Sequence, residues 1–249
     1  MVKLSRNDSR MIYPKAPITE AVLDIRFESG FDAIASADRI CEIFADRLPH
    51  RAEIQSQTLK FGVGKNTSFS HSQKPEGWRF ESESRDRVLQ VRDRGFSYSH
   101  LKPYSNWTQF KKEARSLFDS FNEAVPNTSV KGLGLRYINR IDIPSDAVKV
   151  DEYFSMYPHL NDEIIEKVTG LFMQVRTPLS EFEGCVGLIN MALMPPDNPN
   201  TTSVLLDFDI SFEGAFDDQS LWSVFDKMRD AKNRLFESSI TDRTRELFK

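Results

Sequence analysis

The chain has 249 residues, with 33 Lys and Arg against 37 Asp and Glu for a net charge of −4, and 39% of its residues are hydrophobic. That is enough apolar material for a packed core in one large domain or two small ones, and it excludes a disordered chain. The near-balance of charge argues against a protein that coats nucleic acid through its overall field, and Cys41 and Cys185 are too far apart for a metal-binding spacing, as expected of reduced thiols.

The opening MVKLSRNDSRMIYPKAP is polar, with no signal-like apolar run. Residues 1–13 read as a flexible arm, and no window approaches the roughly 18 apolar residues of a membrane span, so a soluble, cytoplasmic protein with no membrane partner is expected. After Pro17, ITEAVLDIRFE alternates Ala21, Leu23, Ile25 and Phe27 against Val22, Asp24, Arg26 and Glu28, a strand with one buried face. SADRICEIFADRL then spaces Ile40, Ile43, Phe44 and Leu48 for a helix capped by Ser36. Residues 54–101 read as a β-meander whose last two strands form a hairpin at Gly95. Asn106 is placed to cap a helix with an apolar stripe of Phe110, Ala114, Leu117, Phe118, Phe121 and Val125.

GLRYINRIDIP, from Gly134 to Pro144, is the next strand. An acidic connection follows with a short helix around DEYFSMY, then three strands in TGLFMQVRTPL, CVGLINMALM and SVLLDFDISFE. A helix from Asp217 or Asp218 turns Leu221, Trp222, Phe225, Met228, Leu235 and Phe236 inward, and TDRTRELFK closes the chain as a short helix capped by Thr241 or Asp242. Strands that follow one another directly predict an α+β fold, an antiparallel, meander-rich sheet covered by a few long helices. A single domain over 14–249 is expected, with sub-halves 14–144 and 168–249 joined by 145–167 as a finer division. DIRFESGFD from Asp24 and DISFEGAFD from Asp209 agree at six of nine positions, a hint of degenerate duplication.

PITEAVLDIRF, PYSNWTQF, GLRYINRIDIP, LLDFDI and KNRLFESSITDRTRELF together resemble an uncharacterised prokaryotic protein family described as sporadically distributed. The resemblance spans almost the whole chain. It implies no activity; it implies a patchily distributed accessory gene product, akin to components of phage-defence or toxin–antitoxin systems.

Strand parity gathers the candidate site. Asp24 and Arg26, then Arg136, Arg140 and Asp142, then Asp207 and Asp209, each lie opposite their strand's apolar side. If these strands are neighbours, the charges form cross-strand pairs on one face. The plain reading is a solvated, salt-bridged sheet face. The functional reading is a non-enzymatic binding or regulatory protein with no cofactor, in which Arg136 and Arg140 grip a partner protein or small anionic ligand, Asn139 assists, and Asp24, Asp207 and Asp209 orient the arginines. Asn139 falls on the apolar side, where it must be hydrogen-bonded.

Two alternatives are weaker. Asp207 and Asp209 could hold Mg²⁺ for nuclease or phosphoryl-transfer chemistry, although no third ligand follows from spacing. Trp78, Phe80, Phe96 and Tyr98 interleave with Arg79, Arg85, Arg87, Arg92 and Arg94 in a manner that could stack and clamp single-stranded nucleic acid, although Glu81, Glu83, Asp86 and Asp93 nearly cancel those charges and favour core aromatics under a solvated charged face. His50, His71, His100 and His159 form no metal pair, Gly62 to Lys65 lacks the full phosphate-loop spacing, and Leu247 with Phe248 offers an amphipathic tail that either packs back or docks on a partner.

Overall fold

A computed structural model describes residues 13–62, 68–126, 128–146, 148–158, 168–179, 183–214, 216 and 218–249. The strands are β1 (Ile18–Phe27), β2 (His50–Gly62), β3 (Ser68–Glu81), β4 (Arg87–Arg92), β5 (Gly95–Leu101), β6 (Val130–Ile143), β7 (Phe172–Pro178), β8 (Cys185–Met194) and β9 (Thr202–Glu213). The helices are α1 (Ala37–Phe44), α2 (Trp107–Ala124), α3 (Val150–Tyr153), α4 (Asp218–Ser239) and α5 (Asp242–Glu246). The strands form one sheet in the order β2-β3-β4-β5-β1-β6-β9-β8-β7, each neighbour antiparallel to the next. This is the α+β fold with an antiparallel sheet; of the five helices among the described residues, α2 and α4 are long.

The alternation of β1 decides which face is buried. Ala21, Leu23, Ile25 and Phe27 are fully buried on the face that receives the helices, as are Leu133 and Leu135 of β6 and Phe208 and Ile210 of β9. α2 lays its predicted stripe across this face. Phe121 stacks on Phe27 with ring centroids 5.5 Å apart, Phe118 meets Phe96 edge-on, and Phe110 stacks on Tyr98. The Asn106 side chain accepts the Gln109 N–H and caps α2 as expected. Ser36 precedes α1 but makes no side-chain cap hydrogen bond, so that helix is held by burial of Ile40, Cys41 and Phe44 instead.

A second apolar cluster lies under β8, β9 and the end of β6, where α3, α5 and the last turns of α4 converge. Phe248 is buried there, and Leu247 packs against the same cluster, so the closing helix is a packing element and not an exposed tail. Tyr13, read from sequence as part of a free arm, packs edge-on against Phe248 and Phe236 and donates its hydroxyl to Glu237. The Lys15 N–H donates to the Phe248 carbonyl, which ties the two ends of the described chain together. Residues 1–12, the glycine segment after Gly62 and His159 lie outside the described residues, as does the side chain of His71.

Candidate functional site

The other face of the sheet receives none of the described helices. β1, β6 and β9 stand side by side at its centre, so Asp24, Arg26, Arg136, Arg140, Asp142, Asp207 and Asp209 do share one face, joined by Glu20 and Ile138. Adjacent Cα partners across β6 and β9 are Arg136 with Asp209 and Ile138 with Asp207. Arg136 nonetheless reaches diagonally, and its Nε and Nη2 donate to the two oxygens of Asp207 at 2.9 and 2.8 Å. Asn190 of β8 donates a third hydrogen bond to Asp207 at 2.9 Å, and Gln174 of β7 in turn donates to Asn190. Asp207 is 1% exposed, a carboxylate sunk into the face and fully engaged, which is how a buried charge is tolerated.

Asp209 is left over. No described residue gives it a hydrogen bond, and burial raises its carboxyl above the ordinary value, with Arg136 opposing and Asp207 and Asp24 adding to the rise. Across β6, the Asp24 carboxyl is raised by burial too, against the pull of the Ser97 hydroxyl, which donates to it, and of Arg26 and Arg92. Arg26 folds over β6 and donates from Nη2 to the Leu133 carbonyl at 3.1 Å. Two glycines make room for these side chains. A Cβ at Gly132 would stand 2.9 Å from the Arg26 guanidinium, and one at Gly134 would stand 3.1 Å from the Asp24 Cβ.

Arg140 belongs to a separate network. It donates to Asp142, to the Ser203 hydroxyl and to the Pro195 carbonyl, and pairs with Asp197 at 3.1 Å, so its charge is matched by neighbours other than Asp207 and Asp209. Asn139 points to the opposite, buried face, where Nδ2 donates to the carbonyls of Leu206 and Tyr137. It cannot share a ligand with Arg136; it satisfies backbone acceptors in the core.

The aromatics of residues 78–98 are also on the helix side. Phe80, Phe96 and Tyr98 are buried in the core and Trp78 packs against it, so they are not available to stack on bases. Arg87 binds Asp86 and Glu113, and Arg79 binds Glu81. Among the described residues, no group of three or more His, Cys, Asp or Glu could hold a metal ion. Cys41 and Cys185 are free and buried. No described helix is long and apolar enough to cross a membrane.

Sequence reasoning passed over Asn190, Gln174 and Ser97, which complete the polar net, and also Lys232 of α4. Lys232 is 8% exposed, with Nζ 4.0 Å from the centre of the Tyr137 ring, and burial brings its amine down to about 7. A signal for it was present, since Lys232 lies four residues from both Met228 and Phe236 and thus on the apolar stripe. The Tyr137 hydroxyl meets that of Tyr104 at 2.9 Å, a polar contact within the first apolar cluster.

No family model matches the chain, and no curated protein matches it. The functional reading therefore stands on the geometry of the open face.

Proposed function

We propose that the protein is a non-enzymatic binding protein whose open sheet face takes a positively charged segment of a partner protein. Asp209 carries this reading: a part-buried carboxylate, hydrogen-bonded by no described residue, on a face that also holds Asp24, Asp207 and Glu20, with Arg136 directly across from it. A guanidinium or ammonium brought by a partner would meet carboxylates already stripped of much of their water, so little further desolvation opposes the ion pair. Val22, Ile138 and Leu205 on the same face would receive the apolar stem of a Lys or Arg side chain. An anionic ligand is less favoured than the sequence suggested, because Arg136 and Arg140 are already matched by Asp207, Asp142 and Asp197. Mg²⁺ is less favoured as well, since both oxygens of Asp207 are taken.

Titration with tetra-arginine and tetra-glutamate peptides tests the proposal. Binding of the arginine peptide alone, weakened about tenfold or more in Asp209→Asn, is expected. Preference for the glutamate peptide would return the reading to an anion site, and undiminished arginine-peptide binding by Asp209→Asn would sink it.

We also read the two halves of the sheet as a degenerate duplication. β1, α1, β2 to β5 and α2 run strand, helix, meander, long helix; β6, α3, β7 to β9 and α4 repeat that order, and the halves meet at the β1–β6 pair. In this scheme β1 corresponds to β6 and β9 to β5. The likeness of the Asp24 and Asp209 segments then joins strands in different places and is not the trace of the repeat.

A further inference from the structure

β7 is the last strand of the sheet, and no described strand pairs with its outer edge. Which of its main-chain groups face outward follows from its pairing with β8. The Leu179 N–H donates to the Cys185 carbonyl and the Leu193 N–H to the Leu171 carbonyl, so odd-numbered residues on this side of the sheet bond inward. In an antiparallel ladder the alternate residues then turn their N–H and C=O away, which puts those of Phe172, Gln174 and Arg176 on the free edge. Pro178 has the same parity, and its missing N–H therefore costs the ladder nothing.

The edge is also where the chain shows its apolar surface. The large hydrophobics exposed among the described residues are Phe172 at 71%, Val175 at 37% and Met194 at 37%, all on β7 or its neighbour β8. A comparison of the halves says what shape is missing. The first half places four meander strands beside β1, and the second places three beside β6, so the position outside β7 is the counterpart of the position that β2 fills. A strand fits there.

The sequence of β7 says which strand. Laid antiparallel to itself about Val175, it sets Val175 against Val175, Gln174 against Arg176 and Phe172 against Pro178. No like charges meet. Gln174 and Arg176 both face outward and can exchange both hydrogen bonds, the Phe172 N–H finds the Pro178 carbonyl, and Val175 forms the close, non-hydrogen-bonded pair at the axis. A patch complementary to itself in this way makes a closed two-fold contact.

We propose that two copies of this chain join β7 to β7 about a two-fold axis at Val175, which makes one continuous eighteen-stranded sheet with both open faces on the same side. The test uses the full chain. Sedimentation at tens of micromolar should give about twice the 28.7 kDa mass. Val175→Cys should form a disulfide-linked dimer under mild oxidation, because Cα atoms of a non-hydrogen-bonded pair lie about 4.5 Å apart, within disulfide reach. Both natural cysteines are buried and would not compete. Gln174→Pro and Gln174→Ala both lose the side-chain hydrogen bond to Asn190, but only the proline also loses the outward N–H, so Gln174→Pro should give a folded monomer and Gln174→Ala should stay dimeric. A wild-type monomer at that concentration, or a wild-type dimer in which Val175→Cys fails to cross-link, would overturn the proposal.

Discussion

Arg136 and Asp207 are joined across the diagonal of the β6–β9 pair, through two hydrogen bonds of 2.9 and 2.8 Å, although Asp209 stands directly opposite the arginine. The diagonal separation of roughly 7–8 Å is within reach of an arginine and beyond a shorter side chain. Its choice buries one carboxylate completely and leaves the other without a donor. The two ends of the pair also differ in burial, since the Arg136 side chain is 46% exposed and that of Asp207 only 2%.

That asymmetry predicts unequal costs. Arg136→Ala strands a buried carboxylate on Asn190 alone and should lower stability by about 3 kcal/mol. Asp207→Asn leaves a guanidinium that can turn to water, and should cost about 1 kcal/mol. Urea denaturation of the two variants and their double mutant measures both; equal costs would show that the pair is not differentially solvated.

For Asp209 the sign is reversed from that of a salt-bridged carboxylate. Its folded value lies above the ordinary 3.8, so between 3.8 and that raised value the folded chain holds a proton that the unfolded chain has lost. Stability then falls as pH rises through this window, and at neutral pH the ionised group is a liability. Asp209→Asn should therefore raise the urea midpoint at pH 7 while impairing partner binding, the trade expected of a functional residue held in an unfavourable place. The gain should vanish below 3.8, where the carboxyl is protonated in both states. A destabilised variant at pH 7 would mean that Asp209 has a structural partner.

Lys232 offers a separate handle. Its folded value near 7 against an ordinary 10.5 means that, between those limits, the unfolded chain binds the proton and the folded chain does not. Stability should rise with pH over that window. Arg229 disfavours the charged amine, while Glu237 and the face of Tyr137 favour it, and burial outweighs them. Lys232→Met should raise stability at pH 7 and flatten its dependence up to pH 10.5. Unfolding curves at intervals across that range decide the point, and an unchanged slope would assign the titration to another group.

Much of this was legible in the sequence, for a physical reason. Period-two alternation in ITEAVLDIRFE and SVLLDFDISFE separates one buried face from a charged one, so parity set Asp24, Arg136, Arg140, Asp207 and Asp209 each on its strand's charged side, and the adjacency of β1, β6 and β9 brings them together. Parity does not say who binds whom. The diagonal reach of Arg136, the capture of Arg140 by Asp197 and the folding of Arg26 over Gly132 all depend on strand order and on space left by small residues. The aromatics of residues 78–98 are core, the plainer of the two readings that the sequence offered; alternation shows that a strand has two different faces, and the balancing Glu and Asp residues told against a nucleic-acid surface. Asn139 sat visibly on the apolar side, and its partners are main-chain carbonyls, which no sequence pattern marks.

The place of β1 constrains the order in which the chain can assemble. It is the first of the described strands in the sequence and one of the middle ones in the sheet, with Ile25 beside Phe96 on one side and Leu133 on the other. While the chain grows, β1 gains its first neighbour only when β5 has emerged, and its second edge stays bare until α2 is complete and β6 follows. A chain halted between those points would present an unpaired, apolar-faced strand at the margin of a half-built sheet, the kind of edge on which chains aggregate. The stretch of sequence between β1 and β6 therefore sets how long that edge stays bare as the chain grows.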